Sequence, residues 1–175
     1  MESLSSRNFG IIIAYGIPGF IAMTGPFMHG TVVIRGGHVW VTEWLGSSST
    51  PPTIGGVLLL TLVALFFGLV ISAVRWLIID SIHHRTGIKP TRWDIGNLGQ
   101  RIQGYETMVE FHYRYYQFYA NSLLAIIFHY TFRWQLVEVV PLEALLVAAV
   151  LVVLFVGSRD CLGKYYKRVA SLLMN

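Results

Sequence analysis

The chain has 175 residues, 54% of them apolar and 13% charged, with a formal net charge of +4. That balance is too hydrophobic for an ordinary soluble domain, and the length leaves room for a single membrane domain, 1–175, without a separate soluble enzyme domain. The bases are spread along connecting segments, which argues against nucleic acid, and the single cysteine, Cys161, excludes an internal disulfide or a CxxC site.

Residues 9–28, FGIIIAYGIPGFIAMTGPFM, read as the first span. Weak N-terminal charge and the lack of a convincing small-x-small cleavage site favour a retained helix over a signal peptide. Proline removes a backbone donor, so a kink is expected around Gly16, Pro18 and Gly19, turned toward protein where the freed carbonyl finds a partner. Gly10 and Ala14, four apart, would let a neighbouring helix approach closely. Residues 29–54 read as an external loop. Its runs TVVIR and HVWVTEW flank Gly36 and Gly37 and predict a small β-hairpin, followed by the plain loop GSSSTPPT.

The second span, 55–79, has no charged residue over 55–74 and meets the roughly 20 residues needed to cross about 30 Å of hydrocarbon. Ala64, Gly68 and Ser72 repeat every four residues as a smooth packing stripe. Arg75 and Trp76 at its end are expected at the interface, the arginine reaching headgroups. Residues 80–116 form a charged cytoplasmic segment with Arg85, Lys89, Arg92 and Arg101; Thr86–Gly87 and Lys89–Pro90 break any helix there.

Residues 105–134 read as one long helix that projects into the cytoplasm and crosses over 117–134. Glu106, Glu110, Arg114, Gln117 and Asn121 recur at helical spacing as a polar stripe, among a belt of aromatics. The fourth span, 142–157, is the most uniformly aliphatic. The tail, 158–175, pairs four bases with Val169, Leu172 and Leu173, as an amphipathic helix lying on the inner leaflet would. Bases concentrate in 80–116 and in the tail, so the positive-inside bias puts both termini in the cytoplasm.

Three polar groups invite chemistry. Asp80, His83, His84, Glu106, Glu110 and His112 share the cytoplasmic segment and offer metal-ligand types, but His83 and His84 point about 100° apart and no HxxH or HExxH pair repairs this. Interfacial His83, His84, His112 and Arg114 with helix-surface ion pairs are the plainer reading, and no metal, cofactor or catalytic residue is expected. The stripe Glu106–Glu110–Gln117–Asn121 would line a pore if copies of the helix surrounded an axis; alternatively, Gln117 and Asn121 hydrogen-bond inside the bundle. His129, Tyr130 and Arg133 read as interfacial anchors.

The expectation is therefore an all-α integral membrane protein. It is a four-transmembrane-helix bundle with a long third helix extending into the cytoplasm and a small external β-hairpin. The layout resembles that of small bacterial four-span membrane proteins, which implies an inner-membrane location and names no family. The leading expectation for function is a homo-oligomeric pore, channel or transmembrane signalling protein. The alternatives are an interface enzyme using Asp80, His83, Glu110 and His112 on a lipid-linked substrate, or a structural or accessory subunit whose spans dock onto a larger membrane complex; a protein partner at the cytoplasmic face is a further expectation.

Overall fold

The computed structural model describes residues 10–29, 53–90, 96, 98–134, 138 and 140–174. Among these there is no strand, and they form four helices. Helix α1 is a π-helical turn, Ile12–Gly16, running into the α-helix Ile17–His29. Helix α2 covers Ile54–Arg85, with a π turn at Trp76–Asp80. Helix α3 joins Leu98–Met108, a π turn Val109–Tyr113 and Arg114–Arg133. Helix α4 is unbroken from Pro141 to Met174.

Two of the four, α2 and α4, are long and apolar enough to cross a membrane, and only 17% and 6% of their apolar windows are buried. Helix α1 is a shorter apolar helix over Ile12–Phe27. Length and composition thus mark two spans rather than the four expected; α3 fails because Arg114, Gln117 and Asn121 interrupt its apolar run. The hairpin expected within 29–54 lies outside the described residues.

The helix boundaries follow local chemistry. Thr53 caps α2, its hydroxyl accepting from the Gly56 amide at 3.1 Å. The helix stops at Gly87, whose φ of 102° is a left-handed conformation that glycine adopts without a Cβ clash. The Ile88 amide returns to the His83 carbonyl at 3.0 Å, closing the last turn.

Helix α1 packs between α2 and α3, and α3 carries α4 on another side. The α1–α2 crossing is set by glycine. A Cβ on Gly19 would strike the Ala64 carbonyl, and one on Gly68 would come within 2.8 Å of the Tyr15 carbonyl carbon. Two helices approaching this closely gain dispersion along their backbones. Ser72, the third member of the expected stripe, is half-buried. Higher up, a Cβ on Gly25 would lie 2.9 Å from His129 Cα, so α1 and α3 also meet without side chains between them.

The largest apolar core joins α3 and α4: Tyr116, Ala120 and Leu123 pack with Leu162, Tyr165, Val169 and Leu173, and Ile79 of α2 closes it. This corrects one expectation. The segment 158–174 does not lie on a leaflet as a separate helix; it continues α4, and Val169 and Leu173 are buried against the polar half of α3. Gly157 is no breaker, because it sits under the Tyr119 ring, where a Cβ would be 3.4 Å from Cδ2. Helix α3 also starts earlier than expected, at Leu98, and bends where Arg101 leaves helical geometry (φ −124°, ψ 17°). Across the loop between α3 and α4, Arg133 holds Glu143 with two hydrogen bonds of 2.7 and 2.8 Å.

The crossing makes a direct prediction. Gly68→Ala should lower stability by about 1–3 kcal/mol through overpacking against Tyr15. Gly55→Ala, with open space around it, should change stability by less than about 1 kcal/mol; comparative melts in one detergent would decide it.

Candidate functional site

The polar groups of the expected stripe separate. Glu106 is exposed and Glu110 half-buried, whereas Gln117 and Asn121 are buried and point to α1. Gln117 Nε2 donates to the Tyr15 hydroxyl at 2.9 Å, and Asn121 Nδ2 donates to the Ala14 carbonyl at 2.8 Å. Ala14 lies four residues before Pro18, which has no N–H to return to that carbonyl. Asn121 supplies the missing donor. Just below, Arg114 folds across the first turn of α1, so a Cβ on Gly10 would lie 2.8 Å from its Nε. At the other end of α1, the Thr24 hydroxyl donates to the Ile21 carbonyl at 2.7 Å and lies 3.0 Å from His129 Nδ1, which therefore donates to it.

A second polar centre forms at the end of α2. Arg75 is 4% exposed, with Nη1 donating to Asp80 Oδ1 at 2.9 Å and its guanidinium carbon 5.0 Å from the Tyr116 ring centroid. The Tyr116 hydroxyl donates to the same carboxylate oxygen. Arg75 therefore does not reach for headgroups; Trp76 beside it does face outward, 65% exposed. The cause is local geometry. At α-helical spacing, residues 75 and 80 would lie about 140° apart. The π turn Trp76–Asp80, bonded i→i+5, brings the carboxylate under the arginine.

One turn on, His83 is fully buried, its Nε2 3.0 Å from Ser158 Oγ of α4. Ser158 spends its own proton on the Phe155 carbonyl at 2.8 Å, so His83 Nε2 carries the hydrogen and donates. That leaves His83 Nδ1 as a buried acceptor without a partner among the described residues, as Arg75 Nε is a buried donor without one. His84 turns the other way, its Nε2 3.2 Å from the Tyr166 hydroxyl with the two rings stacked. His112, in the π turn of α3, has Nε2 2.6 Å from Arg168 Nη1.

Asp80 and His83 thus share one centre with Arg75, Tyr116 and Ser158, while Glu110 and His112 face elsewhere. No group of three His, Cys, Asp or Glu side chains suited to a metal ion occurs among the described residues. Sequence reasoning missed Tyr116 and Ser158. An arginine and an aspartate closing an otherwise apolar helix were the available signal, since a charge in such a place needs a buried partner. Ser158, 75 residues from His83, gave none.

No protein-family model, no curated protein and no solved structure matches this chain.

The Arg75–Asp80–Tyr116 centre carries an ordered expectation. Asp80→Ala strands a buried guanidinium and should cost about 3–5 kcal/mol. Tyr116→Phe removes one hydrogen bond, keeps the ring under Arg75, and should cost about 1–2 kcal/mol. Unfolding of both variants in the same micelle would show the order; equal losses would contradict the assignment.

Proposed function

We propose that the chain is a polytopic membrane protein of four spans, both termini cytoplasmic, acting as a homo-oligomeric transmembrane signalling or effector protein. The observation that supports this is continuity. Helices α3 and α4 run from their apolar halves into a packed polar half without separating, through Tyr105, Tyr113, Leu162, Tyr165 and Val169. At about 1.5 Å per residue each exceeds 50 Å, roughly 20 Å beyond the hydrocarbon layer. A shift of either helix at one face of the bilayer is delivered at the other.

In this reading the exposed aliphatic faces of α2 and α4 meet lipid or a second copy, and the bases of 80–116 and 158–175 hold those segments inside. The bilayer implied is a bacterial inner membrane. A channel is less favoured, because Gln117 and Asn121 are committed to α1 of the same copy and are not available to line a shared axis. An enzyme at the cytoplasmic face is less favoured too, because His83 has no exposed surface to offer a substrate.

The protein reconstituted in lipid nanodiscs should have a mass that is a multiple of the protomer, and liposomes containing it should show no ion flux above protein-free controls. A protomer mass would remove the homo-oligomer. Flux reduced by both Asn121→Leu and Glu110→Ala would replace signalling by a pore.

A further inference from the structure

We propose that three histidines clasp the polar half of α4 to the rest of the bundle, and that protonation of His83 and His112 opens the clasp. Each histidine reaches a different residue of α4 through its Nε2: His83 takes Ser158 at 3.0 Å, His84 takes Tyr166 at 3.2 Å and His112 takes Arg168 at 2.6 Å. Two come from the end of α2 and one from the π turn of α3. This follows from the contacts themselves and is independent of the signalling reading.

The three contacts respond differently to a proton. A guanidinium only donates, so Arg168 requires His112 Nε2 to be bare. A proton there sets two N–H donors and two positive charges against each other. The groups facing His112 from α4 are Arg168, Lys164 and, with opposite charge, Asp160, which Lys164 already holds at 2.6 Å. Burial and the charges of Arg168 and Lys164 keep the His112 imidazole below its ordinary value. The contact therefore contributes stability above the ordinary histidine range and loses it as pH falls through that lowered value.

His83 already donates through Nε2, so its second proton must go to Nδ1, buried and without an acceptor among the described residues. A buried charge without a partner is costly. The charged groups facing it are Arg159 from α4 and Asp80 and His84 from its own helix, with the Tyr116 ring packed from α3. His84 is different: the Tyr166 hydroxyl both donates and accepts, so this contact does not require a bare Nε2. Arg159, bonded to the Thr86 carbonyl at 2.8 Å, keeps α4 tethered at its near end. Acid should therefore loosen residues 161–174 rather than unfold the bundle.

Hydrogen exchange of the purified full chain in micelles, at about pH 7.5 and about pH 5 with labelling times scaled to equal intrinsic rates, tests this. Protection over 161–174 should fall on acidification by about tenfold for each pK unit separating the clasped from the released imidazole. The double variant His83→Gln/His112→Gln should hold the same protection at both pH values. His112→Gln alone, at a half-buried site, should retain only part of the acid response. Tyr166→Phe should lower protection equally at both. Wild-type protection unchanged by acid would overturn the proposal, as would an acid loss of undiminished size in His112→Gln.

Discussion

A carbonyl whose i+4 residue is a proline governs the arrangement of this bundle. Pro18 has no N–H, Ala14 sits four residues before it, and Ala14 is fully buried. A buried carbonyl left bare costs about 1–3 kcal/mol, so a donor must come from another helix. Asn121 Nδ2 provides it at 2.8 Å, and Gln117, one turn earlier on the same face, fastens to Tyr15. With α3 pinned on that side, α1 is free to meet α2 backbone to backbone where Gly19 and Gly68 leave space. The proline, the polar pair and the glycine crossing belong to one solution.

A related device recurs. Three of the four helices carry a π turn among the described residues, and that in α2 makes a polar contact that α-helical spacing would not. The turn at Ile12–Gly16 precedes the proline, that at Trp76–Asp80 sets Asp80 against Arg75, and that at Val109–Tyr113 carries His112 toward Arg168. Inserting a residue rotates everything after it, which lets one helix face α1 along one stretch and α4 along another. The buried polar groups are consequently concentrated between helices, leaving apolar faces outward on α2 and α4.

These features also mark how far the residues could be read in advance. The need of Pro18 for an outside partner, the long third helix and the apolar character of α2 and α4 follow from composition and backbone chemistry. The identity of the donor does not, because Asn121 is 107 positions from Ala14 and a polar stripe at helical spacing suits a pore or an internal bond equally. The Arg75 contact was hidden for another reason: a π turn has no sequence signature, and with α periodicity the arginine points away from Asp80. Ser158 opened the tail expected to lie on the leaflet, whereas the Tyr119 ring covers Gly157 and the helix runs on.

A double-mutant cycle between Pro18 and Asn121 tests this account most directly. Asn121→Leu in the natural background should lower unfolding stability by about 1–3 kcal/mol, because the Ala14 carbonyl loses the Asn121 donor. In a Pro18→Ala background the restored amide can return to Ala14, and the same change should cost at least about 1 kcal/mol less. Equal costs in the two backgrounds would show that Asn121 does not compensate for the proline, and the constraint on which this description of the bundle depends would be gone.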